Sequence, residues 1–433
     1  MSAVNTSFLI LSSILVLFMT PGLAFFYGGL VSRRNVVNTM LSVFFICGLA
    51  IVLWFACGYS LAFSDDLGGV IGNLNAVFFH GVSLDHVMDT GITTGVYSLF
   101  QMMFAIITPA LFIGAVVGRI NFRFLVWFII IWSLLIYYPM VHLVWSADGW
   151  LANGWLAKLG TLDFAGGTVV HINAGVTALM LSIWIGPRTR RESQHYNLPW
   201  VLLGTTILWI GWYGFNAGSA LAVNSVALQA VFTTTIAAAT SMVAWMVIEV
   251  WLKKRVTLVG TCTGTLCGLV GITPAAGYVT LAGAFWIGMI ATIISYVFVE
   301  YAKPKLKFDD PLDAFGCHGM SGIWGSIATG FFATHHVNSA VTTDGLFYGG
   351  GVHLLLVQLI ATLATIAFVC IGASIIVYIL KHFVPMRVTK KDEYLGLYIT
   401  EHGEMVDDNQ GPRRDVAQHP DEFRGQLSWL KRP

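Results

Sequence analysis

Apolar stretches long enough to cross a membrane recur almost from end to end of this chain. A membrane-spanning helix needs about 20 predominantly apolar residues, and 433 residues leave room for many such helices. Only 10% of the residues are charged, whereas a soluble domain carries about 25%. The sequence therefore predicts an all-α integral membrane protein.

The apolar stretches predict eleven transmembrane helices. Their bounds are roughly 8–31, 37–63, 97–118, 122–145, 165–186, 199–218, 227–251, 257–277, 281–301, 313–333 and 352–383. Basic residues follow each odd-numbered span, beginning with Arg33 and Arg34 after the first and ending with Lys381 after the eleventh. In the loops that follow the even-numbered spans, Lys158 is the single Lys or Arg. By the positive-inside rule, the N-terminus is expected outside and the C-terminus in the cytoplasm. We predict a multi-pass protein of the cell (plasma or inner) membrane.

The pattern Asp-x7-His occurs twice, as Asp163–His171 in the fifth span and as Asp310–His318 in the tenth. Because five is an odd number, the second copy of a five-helix repeat begins on the opposite side of the membrane from the first. The two copies therefore cross the membrane in opposite directions. Eight residues of helix rise about 12 Å, and the midplane lies about 15 Å from either edge of the hydrocarbon. Both histidines are therefore expected near the midplane, where inverted-repeat transporters bind their substrates.

This pattern predicts an inverted five-helix pseudo-symmetric repeat. Its two copies are at about 8–186 and 199–333, and the last span, 352–383, follows them. We therefore divide the chain into a transmembrane transport domain, 1–384, and a cytoplasmic C-terminal tail, 385–433.

Two histidines in mirrored positions favour a functional pair beside a route for a small polar solute. The alternative is two buried histidines that are satisfied by backbone carbonyls. A zinc site fits poorly, because zinc takes three or four protein ligands and no Glu or Cys lies at helical spacing from both histidines. Two neutral imidazoles can instead hydrogen-bond to each other, one as donor and one as acceptor. We predict no metal and no cofactor.

Asp163 has two interpretations that the sequence leaves open. A carboxylate at a helix N-terminus caps free amides and meets the positive end of the helix dipole. An acidic group above a pore also raises the local concentration of cations.

Aromatic residues are dense near the outer ends of several spans. Rings in such places form an interfacial belt or a core, or, together with the hydroxyl of Ser219, a cage that binds a small cation through its ring faces. The rings in question belong to Phe100, Phe104, Trp145, Trp212 and Phe215.

Several classes of protein are disfavoured by missing motifs. The sequence has no Walker loop, nucleotide fingerprint, HExxH or serine elbow, so we predict neither an ATP-driven pump nor an enzyme. It also has no TVGYG filter. No nucleic-acid partner is predicted.

Six segments resemble motifs of the ammonium transporter (Amt/Mep/Rh) family, specifically its Amt branch. They are PGLAFFYGGLVSRRNVVNTM at 21–40, FQMMFAIITPALFIGAVVGR at 100–119, DFAGGTVVHINAG at 163–175, WIGWYGFNAGSA at 209–220, GLVGITPAAGY at 268–278 and DDPLDAFGCHGMSGIWG at 309–325. The similarity covers about 8–405. It implies the ammonium transporter fold and a homotrimer of eleven-span protomers that serves nitrogen uptake.

The resemblance also implies roles for individual residues. The outer site that recruits the ammonium ion would comprise Phe104, Trp145 and Ser219, with Phe100 beside it and Asp163 stabilising it without direct contact. The gate would be Phe104 and Phe215. The pore would be lined or supported by His171, His318, Trp212, Tyr27 and Thr273.

Neutral ammonia is the species expected to cross the pore, because dehydrating an ammonium ion is strongly unfavourable. The expected function is therefore an ammonium transporter that recruits the ion, deprotonates it and conducts ammonia past the twin histidines. Separate transfer of the proton, and methylammonium as a second substrate, stay open. The alternative is an ammonium sensor that reports pore occupancy to a cytoplasmic signalling partner.

The chain departs from the family pattern in three places. The stretch from Trp145 to Asp163 is longer than in compact bacterial members, Tyr398 stands where the family usually has Asp, and 406–433 has no counterpart. These changes leave open whether a PII-type signalling protein binds the cytoplasmic face. Apolar residues within 385–404 predict that this part of the tail docks, whereas the polar end beyond it is expected to be disordered.

Overall fold

The computed structural model describes residues 1–147, 151, 159–189 and 195–404, which form a bundle of long helices. The bundle helices are α1 (Ala3–Leu30), α2 (Arg33–Phe63), α3 (Thr94–Ala115), α4 (Phe122–Trp145), α5 (Gly167–Ile185), α6 (Leu198–Gly218), α7 (Ser225–Lys253), α8 (Leu258–Ile272), α9 (Leu281–Lys305), α10 (Phe315–Gly319 continuing as Met320–Phe332) and α11 (His353–Leu380). The predicted all-α membrane fold is confirmed.

Within the described residues, nine helices are long and apolar enough to cross a membrane. They correspond to nine of the eleven predicted spans. The other two predicted spans, 257–277 and 313–333, coincide with the shorter helix α8 and with α10. The count of eleven thus agrees with the number of bundle helices, although α8 and α10 do not meet the length and hydropathy expected of a full span.

The two ends of the bundle differ in what covers them. We call the end that carries Trp145 the outer end, and the end that carries residues 385–404 the inner end. Between α2 and α3 at the outer end, a short antiparallel hairpin pairs β1 (Asp66–Leu67) with β2 (Ile71–Gly72). Parts of the long stretch between Trp145 and Asp163 lie outside the described residues.

Glycines let neighbouring helices approach closely. On α8, a methyl group at Gly264 would lie 2.5 Å from Cβ of Trp245, and one at Gly268 would lie 2.3 Å from the carbonyl oxygen of Ala237. Both contacts are with α7. The glycines that recur every fourth residue along α8 therefore serve tight packing within the protein, as small residues do between helices in lipid.

Residues 385–404 pack against the inner end of the bundle through α12 (Lys390–Leu395) and α13 (Leu397–Thr400). The amide of Leu397 donates to Oδ1 of Asn35 at 3.2 Å, and Glu401 accepts from the amide of Phe122 at 2.9 Å. The Leu397 side chain is fully buried. The prediction that this segment docks is confirmed, whereas the predicted disordered end, 405–433, lies outside the described residues.

An ion pair fixes the start of the chain segment that enters α10 from the inner end. Arg188 donates from Nε to Oδ2 of Asp309 at 2.7 Å and from its backbone amide at 3.0 Å. Burial disfavours the charged carboxylate, but these hydrogen bonds outweigh it and lower the pKa of Asp309 to about 2. The stability this pair contributes is therefore fully present above about pH 4 and is lost as pH falls through about 2.

Candidate functional site

The two Asp-x7-His copies begin in the same way. Asp163 accepts hydrogen bonds from the four successive amides of residues 166–169 at 2.6 to 3.1 Å. Asp310 accepts from the amides of Ala314 and Phe315 at 3.1 and 2.8 Å. Both carboxylates therefore cap the start of a helix, which supports the capping interpretation of Asp163. Gly166 lies in this turn with φ +107°, a conformation that favours glycine.

Each histidine lies in a π-helical turn. His171 is in Gly167–Ile172, and His318 is in Phe315–Gly319. Both turns continue directly into α-helix. Short π-helical turns of this kind are frequent at functional sites.

A crossing of α5 and α10 brings the histidines together. A methyl group at Gly175 would lie 2.3 Å from the backbone nitrogen of Gly319, and one at Gly322 would lie 3.1 Å from Cβ of His171. Gly175 and Gly322 each follow their histidine by four residues. The repeated pattern is thus Asp-x7-His-x3-Gly, and its glycines allow the two backbones to touch.

The imidazoles of His171 and His318 lie nearly parallel, with centroids 5.4 Å apart and planes 10° from each other. Both side chains are buried. Neither nitrogen of His171 has a hydrogen-bond partner among the described residues, so the mutual hydrogen bond considered from the sequence is not formed. Buried polar atoms without partners are unfavourable and uncommon. They are suited to a small solute that supplies the missing partner.

The aromatic side chains form one continuous row with the histidines. The ring of Trp145 lies 5.6 Å from that of Phe104 at 87°, and Phe104 lies 4.4 Å from Phe215 at 37°. Phe215 lies 5.9 Å from His171, the nearer of the two histidines. The row therefore runs from the outer end of the bundle to its middle.

The outer end of this row combines rings with oxygen acceptors. Phe100 contacts Phe104 edge to face, at 5.0 Å. Trp145 donates from Nε1 to the Asp163 carbonyl oxygen at 3.1 Å, which fixes its ring. Ser219 donates its hydroxyl proton to the Phe215 carbonyl oxygen at 2.9 Å, so its oxygen lone pairs can accept from a solute.

The other predicted pore residues support the histidines or lie nearer the inner end. Trp212 stacks on His171 at 5.4 Å and donates from Nε1 to Oγ1 of Thr273 at 2.9 Å. Thr273 therefore lies behind Trp212 and holds its indole ring by this hydrogen bond. Tyr27 donates to the Leu111 carbonyl oxygen at 2.7 Å and lies beside Gly114.

Sequence reasoning missed two features of the site. One is the glycine crossing, although the spacing His-x3-Gly is present in both copies. The other is His142, which is fully buried three residues before Trp145 and contacts Asp66. The contact between His142 and Asp66 could not be predicted from helical spacing, because the two residues are 76 positions apart in the sequence.

Comparison with known proteins identifies similar chains of nearly the same length. The sequence matches the model of the Ammonium Transporter Family over residues 7–407. It is 42% identical over 405 residues to an "Ammonium transporter" of Bacillus subtilis, covering 93% of this chain and 98% of that one. It is 43% identical over 405 residues to an "Ammonium transporter" of Aquifex aeolicus, covering 93% of each chain.

Solved structures share the fold. Saccharomyces cerevisiae Mep2 superposes with a TM-score of 0.84 at 30% identity, covering 95% of this chain and 93% of that one. A structure described as "Sensor Amt Protein" superposes with a TM-score of 0.83 at 27% identity, covering 92% of this chain and 98% of that one.

Proposed function

This chain belongs to the ammonium transporter family and is a membrane transporter rather than an enzyme, and we propose that it moves nitrogen as ammonia. The ammonium ion is recruited at the outer rings of Phe104 and Trp145, with Phe100 beside them, and at the Ser219 oxygen. It is deprotonated near the gate formed by Phe104 and Phe215, and ammonia passes His171 and His318. Whether the proton crosses separately is a question for electrical measurement.

The observation that carries this proposal is the row of rings that ends on two stacked histidines in mirrored helices. Ring faces attract a cation by about 0.5–2 kcal/mol each, so they can concentrate ammonium at the outer end. They cannot replace the hydration of an ion along a buried path, because dehydrating a charge costs several kcal/mol or more. Neutral ammonia is not subject to that penalty.

The proposal is tested by electrical recording from proteoliposomes on a solid-supported membrane. Ammonium pulses should give transient currents if the proton crosses as well, and only internal alkalinisation, detected by an entrapped pH dye, if ammonia crosses alone. The control is protein-free liposomes given the same ammonium pulses, because ammonia crosses lipid unaided, together with equal potassium pulses to detect ion leak. If ammonium produces neither signal above that control, the proposed transport is refuted.

Trp145→Leu should weaken the discrimination between ammonium and the bulkier methylammonium. The ring of Trp145 meets Phe104 edge to face and is held by the Asp163 carbonyl, so leucine removes one ring face and the orientation of the site. We expect the ratio of the two apparent affinities to move towards one by roughly threefold to tenfold, the effect of losing about one cation–π contact.

The matched control is Trp251→Leu, the same change at a side chain that is 79% exposed on α7. Competition between the two cations should be unaltered in that variant. An unchanged ratio in Trp145→Leu would remove Trp145 from the recruitment site.

A second candidate function is ammonium sensing. It is favoured by the likeness to the structure described as "Sensor Amt Protein" and by the docked tail, which offers a surface to a cytoplasmic partner. Measurement of ammonium flux separates the two functions. A sensor binds ammonium without transporting it, whereas a transporter both binds and transports it. A PII-type signalling protein is the candidate partner, and co-purification from cells at high and low ammonium tests it.

We further propose a homotrimer in the cell membrane, with the inner end of the bundle in the cytoplasm. In that arrangement 1–384 is the transport domain and 385–433 the cytoplasmic tail. Many large apolar side chains on the outside of the bundle are exposed in the single chain, among them Phe18, Phe44 and Ile371. Native mass spectrometry in detergent tests the trimer, and cysteine labelling from either side tests the orientation.

Truncation after Pro385 should impair transport, whereas truncation after Met405 should not. The shorter chain loses Leu397 and Glu401, which pack against the inner ends of α2 and α4. The longer chain keeps every tail contact described above. Growth at low ammonium in cells that lack other ammonium uptake distinguishes the two, and equal growth would contradict a role for the docked tail.

A further inference from the structure

Gln358 is a fully buried amide side chain near the outer end of α11. Its Oε1 accepts from the backbone amide of Leu162 at 2.9 Å, and its Nε2 donates to the Leu162 carbonyl oxygen at 2.8 Å. Nε2 also donates to the Ser326 carbonyl oxygen on α10 at 3.0 Å, so both N–H groups are used. The side chain thus bonds both backbone groups of a residue that lies outside the helices, just before α5.

Leu162 directly precedes the residue that orients the outer ring. Trp145 donates from Nε1 to the carbonyl oxygen of Asp163 at 3.1 Å. On the other side of Asp163, the amide of Phe164 donates to the Pro274 carbonyl oxygen at 3.0 Å. The peptide that holds the Trp145 ring is therefore fixed from both sides, by a backbone carbonyl after it and by the buried amide of α11 before it.

We propose that Gln358 is a positioning residue of the outer binding site and sets how well that site discriminates between ammonium and larger cations. It holds Leu162, which fixes the carbonyl of Asp163, and that carbonyl orients Trp145. Without the amide, both backbone groups of Leu162 lose their partners, and the segment can shift together with the carbonyl. This inference rests on the proposed role of Trp145 in recruitment of the ammonium ion.

The two pore histidines are held by other contacts. The carboxylate of Asp163 caps α5 through amides of its own segment, 166–169. The glycine crossing of α5 and α10 then places the imidazoles beside each other. Loss of the Gln358 amide should therefore weaken binding at the outer site and leave the maximal rate of transport largely unchanged.

Gln358→Met tests this role, because methionine keeps the length of the side chain and removes its hydrogen bonds. In proteoliposomes, the apparent KM for ammonium should rise by roughly threefold to tenfold, the effect of losing about one hydrogen bond. The ratio of the apparent affinities for ammonium and methylammonium should move towards one by roughly twofold to tenfold. The maximal current, corrected for the amount of protein, should change much less.

Thr362→Val is the matched control, one helical turn further along α11. The buried hydroxyl of Thr362 donates to Oγ of Ser326 at 2.9 Å, and valine has the same shape without the hydroxyl. This variant removes a buried hydrogen bond to the same residue of α10 but leaves Leu162 untouched. It should lower the unfolding temperature in detergent, as Gln358→Met does, and keep the unchanged KM and affinity ratio. If Gln358→Met transports as Thr362→Val does, the inference is overturned.

A double variant shows whether Gln358 acts through Trp145. In Trp145→Leu the indole ring that the Asp163 carbonyl orients is gone, so adding Gln358→Met should shift neither the KM nor the affinity ratio further. If the effects of the two substitutions multiply, Gln358 acts by another route and the inference is wrong. An unchanged ratio in Trp145→Leu alone would instead refute the proposed recruitment site, and this inference with it.

Gln358→Asn replaces Gln358→Met if the methionine variant does not fold. Asparagine keeps the amide but withdraws it by one methylene group, so it cannot bond both backbone groups of Leu162 at once. The same rise in KM is expected. A folded Gln358→Asn protein with the KM and affinity ratio of the unchanged protein would contradict the positioning role.

Discussion

His171→Ala and His318→Ala are each expected to abolish ammonium transport or to alter it strongly, and the double variant should be no worse than the worse single variant. The two rings lie 5.4 Å apart and nearly parallel in the middle of the bundle, so in the proposed route each would form one wall of the same short path. Losing either ring leaves its partner without the neighbour that orients it. Residues that act as a unit show such non-additive effects.

The measurement is the ammonium-driven current, or the alkalinisation signal, of both single variants and of the double variant. His335→Ala is the control, because His335 is an exposed histidine near the outer end, outside the helices, and pairs with Asp344 at 2.7 Å. It should transport normally. If the effects of the two pore substitutions multiply, the histidines act independently and the paired mechanism is wrong.

Much of the fold could be predicted from the sequence, because bilayer thickness imposes a length on every span and the positive-inside rule imposes a direction. The Asp-x7-His repeat then required two antiparallel helices with histidines at similar depth, and α5 and α10 have this arrangement. Only α8 and α10 differ from the predicted spans. Helix α8 is apolar but only 15 residues long, whereas the glycines, the histidine and the hydroxyl residues of α10 lower its hydropathy; both helices are largely buried against other helices.

The details of the site could not be predicted, since they depend on contacts between distant segments. Spacing along a helix places His171 and His318 at similar depth but does not fix the angle between their rings, and the structure stacks them instead of joining them by a hydrogen bond. The π-helical turns that carry both histidines leave no clear mark in residue spacing. His142 and Asp66 meet only because β1 folds back over the end of α4.

Substitution of a glycine at the crossing of α5 and α10 should reduce ammonium transport as strongly as substitution of either histidine. A methyl group at Gly175 would lie 2.3 Å from the backbone nitrogen of Gly319 and 2.4 Å from its Cα. Backbone atoms cannot rotate away as a flexible side chain can, so Gly175→Ala must push α5 and α10 apart. Overpacking of this kind destabilises by about 1–3 kcal/mol. It would also separate His171 from His318, and we expect most of the transport to be lost.

The expected loss of stability in Gly175→Ala is opposite in sign to the usual effect of replacing a helical glycine by alanine. Glycine to alanine within a helix ordinarily stabilises by roughly 0.5–1 kcal/mol, because glycine loses more backbone entropy on folding. Gly48→Ala in α2 is the matched control, since no heavy atom lies within 4 Å of the added methyl group. Thermal unfolding in detergent should show Gly48→Ala unchanged or more stable and Gly175→Ala less stable. If Gly175→Ala keeps both its stability and its ammonium current, contact between α5 and α10 does not position the histidines.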